Sequence, residues 1–185
     1  MQPFRWFAVV AAVLFAAAAH GQDVTTGPAK GEKVPALKVQ DVTGLNKDKE
    51  VDYAAERKDK PTVYFLIQAD KFDRPMNRFM KELDNAVKKD LPDVYAVAVW
   101  LTDDKDKTKE LLPRVQQSVQ YEATALTYFP GDKAGPKDWN VYSEAFVTVV
   151  IAGKGKVTET FGYRSVNETD VKGVLEVVKK AAEKK

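Results

Sequence analysis

Pro61-Thr62-Val63-Tyr64-Phe65-Leu66-Ile67-Gln68-Ala69-Asp70-Lys71-Phe72-Asp73-Arg74-Pro75 is the stretch whose reading decides the fold. Thr62 to Gln68 is a run of β-branched, aromatic and aliphatic residues without alternation, the pattern of a strand covered on both faces. After it, Met76, Phe79, Met80, Leu83 and Val87 fall at i, i+3, i+4, i+7 and i+11, which is one apolar stripe on an amphipathic helix. Val94 to Leu101 predicts the next buried strand. Two buried strands joined by such a helix form a right-handed βαβ unit with parallel strands.

Working outward, Val34 to Gly44 predicts an edge strand that ends at a glycine turn, and Pro35 suits an edge. Glu50 to Lys58 reads as a short helix. On the other side, Asp103 to Gln117 supplies a second crossover helix, which Pro113 is expected to end or kink near Leu111 or Leu112. Thr124 to Phe129 predicts a short strand, followed by a loop through Pro130-Gly131-Asp132 and Gly135-Pro136. Phe146 to Ile151 and Lys156 to Tyr163 are two strands joined by a tight hairpin at Ala152-Gly153-Lys154-Gly155. Val171, Val174, Leu175 and Val178 give a closing helix its core stripe, and Lys179 to Lys185 place positive charge at its C-terminus.

Residues 1–21 read as a signal peptide, with Arg5 ahead of the apolar run Trp6 to Ala19. As a helix that run would be roughly 21 Å long, short of the roughly 30 Å hydrocarbon core, so no stable membrane insertion is expected after cleavage. Residues 22–33 read as a flexible lead and 34–183 as one folded domain, exported to the periplasm or the extracellular space. Removing residues 1–21 takes Arg5 and no acid from 29 bases and 27 acids, which leaves a net charge of about +1 and no electrostatic case for nucleic acid. The chain has no cysteine, so this exported domain must hold together by packing alone.

Cleavage before Gln22 also removes His20, the single histidine. With neither His nor Cys, zinc sites of the usual nitrogen and sulfur kinds, Ser-His-Asp triads and cysteine nucleophiles are excluded. Carboxylate, lysine, tyrosine or hydroxyl chemistry remains, or no chemistry.

Gly31-Glu32-Lys33-Val34-Pro35-Ala36-Leu37, the Gly44 turn, the Lys60-Pro61 entry into a buried strand, the hairpin from Val149 to Val157 and the terminal helix together resemble the redoxin branch of the thioredoxin-like superfamily, over roughly residues 31 to 183. The resemblance implies an α/β three-layer sandwich, with a central mixed sheet of parallel βαβ plus antiparallel hairpin flanked by helices. Two departures follow from carrying the family pattern over. The Cys-x-x-Cys positions match Asp70-Lys71-Phe72-Asp73, and the family's cis-proline position, which faces those cysteines, matches Phe146. The Pro-x-x-x-Thr-x-x-Cys peroxidase motif is also missing. Thiolate is the nucleophile of dithiol exchange, and carboxylate oxygen cannot form the mixed disulfide, so the resemblance implies a kept fold without its redox chemistry.

Two readings of the aspartates stand side by side. At a helix N-terminus they serve as caps; alternatively Asp70 and Asp73 form part of a divalent-cation or ligand site, with enzymatic use of the pair as a further option. The second acidic cluster, Asp103-Asp104-Lys105-Asp106, lies at a strand C-terminus and also reads as a cap, as does Asn167. The expected role is a non-redox protein- or peptide-binding module without cofactor or resident metal. Its surface is expected to comprise Asp70, Lys71, Phe72, Asp73, Phe146 and Val147, with Trp139 contributed from a loop.

Overall fold

In the computed structural model, which describes residues 24–183, Thr62–Gln68 forms a strand whose seven residues are all buried. The expected signal peptide over residues 1–21 lies outside the described residues. In chain order the elements are β1 (Lys38–Asp41), β2 (Glu50–Asp52), α1 (Tyr53–Arg57), β3 (Thr62–Gln68), α2 (Arg74–Asp90), β4 (Tyr95–Leu101), α3 (Lys105–Val119), β5 (Thr124–Tyr128), β6 (Val147–Gly153), β7 (Lys156–Tyr163) and α4 (Val171–Ala182). Short 3-10 turns cover Ala69–Lys71, Lys137–Trp139 and Glu168–Asp170.

The strands make one mixed sheet of order β2-β1-β5-β4-β3-β6-β7. β3, β4 and β5 run parallel, as their connecting helices require, and β6 and β7 are added antiparallel to β3. Alternate residues of β3 feed two separate cores. Val63, Phe65 and Ile67 pack under α2, α3 and α4, against Met76, Phe79, Leu83, Leu112, Val174 and Val178. Tyr64 and Leu66 face the other way, onto Leu37, Tyr53 of α1 and Trp139. The three long helices therefore share one face of the sheet, and the opposite face is covered by short helix and irregular chain.

Several local expectations are corrected. β1 is not an edge, because it pairs with β2 on one side and β5 on the other. Glu50 to Lys58 is not one helix; its first three residues are strand β2, and Asp52 then caps α1 by accepting from Ala55 N–H. Pro113 does not end α3 at Leu111 or Leu112, since the helix runs on to Val119. Pro113 and Lys109, whose carbonyl loses its donor, are both exposed, so water can replace the missing hydrogen bond. The hairpin turn is tighter than its glycine-rich sequence implies. Lys154 and Gly155 alone form it, at φ 55° and 72°, the two positive angles of a type I′ turn.

The lead expected to be flexible is, from Val24 on, laid against the sheet. Val24 N–H donates to Gly162 O, Gly31 N–H to Val157 O and Gly27 N–H to Asn140 O. Thr26 and Thr148 share a buried hydroxyl hydrogen bond of 2.9 Å. Gly162 permits this approach, because a Cβ there would overlap Val24 O and the Thr26 methyl.

Two buried carboxylates fix connections that the sequence pattern does not reveal. Asp41 accepts from Gly44 N–H, Asn46 N–H and the Tyr53 hydroxyl, at 2.7, 2.8 and 2.7 Å. Asp84 of α2 accepts from Ala123 N–H, Glu122 N–H and Thr124 Oγ1, at 2.8, 3.0 and 2.7 Å, and from Lys81 Nζ at 3.2 Å. These bonds pin the middle of α2 to the start of β5.

Burial raises the phenol pKa of Tyr53, with the hydrogen bond to Asp41 adding to it; burial also raises Tyr64 and Tyr121. The folded state thus holds these protons more tightly than the unfolded chain does. Their contribution is intact below about pH 10, where unfolded tyrosine ionises, and is lost as pH rises beyond it. Urea unfolding followed from pH 8 to 12 is expected to show stability falling above about pH 10, with a shallower fall in Tyr53→Phe.

Candidate functional site

The site lies where β3 hands over to α2. Burial stops at Gln68, and Ala69–Lys71 takes a 3-10 turn that carries the chain off the sheet. Asp73 then caps α2, its Oδ1 accepting from Met76 N–H at 2.9 Å, with Arg74 and Pro75 in the first turn. Proline needs no donor at that place, so the sequence Asp73-Arg74-Pro75 sets the helix start locally. Asp70 is engaged differently. Its side chain is 74% exposed and pairs with Lys71 Nζ at 3.4 Å.

The other half of the surface comes from the start of β6. Gln68 N–H donates to Phe146 O at 3.0 Å, and Phe146 N–H donates to Tyr163 O at 2.8 Å, so the backbone before Val147 is locked beside the end of β3. Lys71 Nζ lies over the Phe146 ring, 5.5 Å from its centroid. Phe146 is thus brought beside Lys71, in the segment that runs from Asp70 to Asp73. No peptide bond among the described residues is cis.

Two of the expected residues are elsewhere. Val147 is fully buried in the core under the helices. Trp139 is also fully buried, on the far face of the sheet, with Nε1 donating to Ala36 O at 3.0 Å and its ring edge-on to Tyr64 at 5.2 Å. Its loop folds over the sheet because that face has no long helix to cover it, so Trp139 is a packing residue and no partner contact.

Two clefts flank the junction. One, of about 300 Å³, lies between the ends of β3 and β4 and the start of α3, lined by Asp70, Trp100, Thr102, Asp103, Leu111 and Lys133. Lys133 pairs with Asp103, and that hydrogen bond and charge raise the lysine pKa. Asp104 caps α3 by accepting from Lys107 N–H at 3.0 Å, as the acidic cluster at the strand end leads one to expect. The second, a groove of about 430 Å³ between α2 and α3, is lined by Phe72, Arg74, Leu111, Arg114, Val115 and Val119. Phe72 stands between the clefts, its ring edge-on to Trp100 at 5.1 Å. Trp100 is buried, and its Nε1 has no hydrogen-bond partner.

Trp100, Leu111, Arg114 and Lys133 are absent from the sequence reading of the site. The signal for Trp100 was its place at the C-terminal end of a parallel strand, and for Leu111 an apolar residue beside an exposed proline. A cation site finds no support in the geometry. Asp73 is spent on its own helix and Asp70 on Lys71, and among the described residues no group of three or more acidic side chains stands ready to hold a metal ion.

No family model matches the chain, and no curated protein does. Solved structures do. BsSco, a member of the Sco family of cytochrome c oxidase assembly proteins, superposes with a TM-score of 0.60 at 14% identity, over 87% of this chain and all of that one. A thiol peroxidase from Chromobacterium violaceum gives a TM-score of 0.57 at 12% identity, over 84% of this chain and 89% of its own. The exposed lipoprotein thioredoxin of Streptococcus pneumoniae gives 0.57 at 14% identity, over 79% and 99%. The fold is thioredoxin-like. This chain carries it with no cysteine.

Proposed function

We propose that this is an exported protein that keeps the thioredoxin-like scaffold without thiol chemistry and binds a protein or peptide through the surface at the β3–α2 junction. The observation that carries the reading is that Lys71 lies over the ring of Phe146 while the next residue, Phe72, stands edge-on to Trp100 and lines the α2–α3 groove, all at the end of a fully buried strand. Both rings are only partly buried, packed against the core under the helices. Aromatic side chains held rigidly at the rim of a cleft supply contact area at little entropic cost. Disulfide exchange is closed to a chain with no thiol, and the partly exposed aromatic rings favour recognition as the use of this surface.

Export rests on the apolar run from Trp6 to Ala19, and the exposed lipoprotein among the structural neighbours is in keeping with it. No helix among the described residues is long and apolar enough to cross a membrane.

Pull-down from the envelope fraction of cells that make the protein is the test. A partner retained under reducing conditions is expected, with Phe72→Ala and Phe146→Ala each weakening it roughly tenfold, the size of a modest interface anchor. Equal retention by both variants assigns recognition to another surface.

A further inference from the structure

We infer that the groove between α2 and α3 is the specificity pocket of this surface and takes a peptide segment whose apolar side chains are flanked by carboxylates. The inference rests on the binding reading above and adds the chemistry of the partner. The floor is apolar and incompletely covered: Phe72, Val115 and Val119 are half-buried, and Leu111 is 40% exposed, an unusual position for a leucine beside a helix interior. Its volume, about 430 Å³, is that of a ligand-sized cleft.

The rim decides the charge of the occupant. Arg74, from the first turn of α2, and Arg114, from α3, both line the groove and both are exposed. Among the described residues neither has an ion-pair or hydrogen-bond partner. Neighbouring cations differ: Arg78 is paired with Glu168, Lys81 with Asp84, Lys88 with Glu122 and Lys133 with Asp103. The carboxylate in the groove, Asp73, is held by Met76 N–H of its own helix. Two unpaired guanidinium forks against the single carboxylate of Asp73 therefore leave the rim of an apolar floor net positive, and such forks match carboxylates in bidentate geometry.

The occupant is a linear segment because the groove runs lengthwise between two helices, lined by the first turn of α2 and by successive turns of α3 from Leu111 to Val119.

Three synthetic hexapeptides test this, each with a central leucine-phenylalanine pair flanked on both sides by glutamates, glutamines or lysines. They are titrated into the purified, isotope-labelled protein, with binding mapped by amide shifts. The glutamate peptide is expected to bind, with shifts confined to the start of α2 and to residues 111–119, and the lysine peptide to bind at least tenfold more weakly. Arg114→Glu and Arg74→Glu, exposed positions whose folding is checked by circular dichroism, should each weaken the glutamate peptide roughly fivefold, as expected when an exposed ion pair becomes a like-charge contact. Lys133→Glu, in the neighbouring cleft, should leave it unchanged. Equal binding of all three peptides, shifts mapped only around Lys71 and Phe146, or no binding at millimolar peptide overturns the inference. A self-associating protein whose dimer buries the groove does so too. Partner capture that still depends on Phe146 would in each case leave the wider binding reading standing.

Discussion

Trp139→Ala is expected to lower the unfolding free energy by about 3–5 kcal/mol, the range for removing a fully buried large aromatic. No long helix covers that face of the sheet, so Trp139, edge-on to Tyr64 and packed in the cluster with Leu37 and Tyr53, is a principal filler of the core there. The indole also supplies the donor to Ala36 O, and its loss leaves that carbonyl without its partner. In a protein of this length the expected fall in melting temperature is roughly 10 °C. Trp139→Phe separates the two contributions: it keeps most of the ring packing and should cost about 1 kcal/mol for the lost hydrogen bond, plus whatever void the smaller ring leaves. Urea unfolding of both variants with unchanged m-value is the measurement. A loss within 1 kcal/mol of wild type for Trp139→Ala would show that the loop does not build this core.

The second large effect is expected at Asp84. Replacing it with alanine removes an acceptor that serves two backbone N–H groups, the Thr124 hydroxyl and the Lys81 ammonium, and strands those donors beneath α2. Unsatisfied buried donors cost more than the hydrogen bonds contribute, so about 3 kcal/mol is expected, less than the sum of the bonds because Lys81 is 25% exposed and can turn to water. Asp84→Asn presents an amide where four donors converge and should recover only part of that loss. Hydrogen exchange supplies the signature that packing alone would not: the amides of Glu122 and Ala123 should lose protection out of proportion to the rest of β5.

The elements that carry the fold were legible because burial on both faces leaves no choice of residue. β3 and β4 read as apolar runs for that reason, and the five apolar residues of α2 repeat at the spacing of one helix face. What the sequence hid is structure made by backbone. Residues 24–33 dock largely through N–H and C=O groups that every residue has, and Gly27, Pro28 and Gly31 carry no periodicity to betray it. β2 is three residues long, too short for alternation to register, and α3 continues through Pro113 because the damage a proline does depends on whether water can reach the freed carbonyl.

The position of the site was legible for a related reason. A buried strand followed by an aspartate and a proline fixes where chain leaves sheet for helix, so Asp70 to Asp73 fell where expected, and the Asp73 cap was readable from Asp73-Arg74-Pro75 alone. The lining was not. Leu111, Val115 and Val119 sit four residues apart on α3, a spacing that reads as core; only the arrangement of α3 beside α2 turns that stripe into a groove floor. Trp139 failed in the opposite sense, since an aromatic in a polar loop looks exposed until the loop is seen to cover a sheet face that lacks a helix.

The central claim is that the junction of β3 and α2 is a recognition surface. Photo-crosslinking in the producing cell tests it most directly, with a benzophenone side chain placed in turn at Phe72, Phe146 and, as an exposed control in the turn between β1 and β2, Leu45, which is 75% accessible. The same adduct from positions 72 and 146, resistant to reductant and absent from position 45, is predicted. No adduct from either ring position, or an equal yield from all three, would contradict the account.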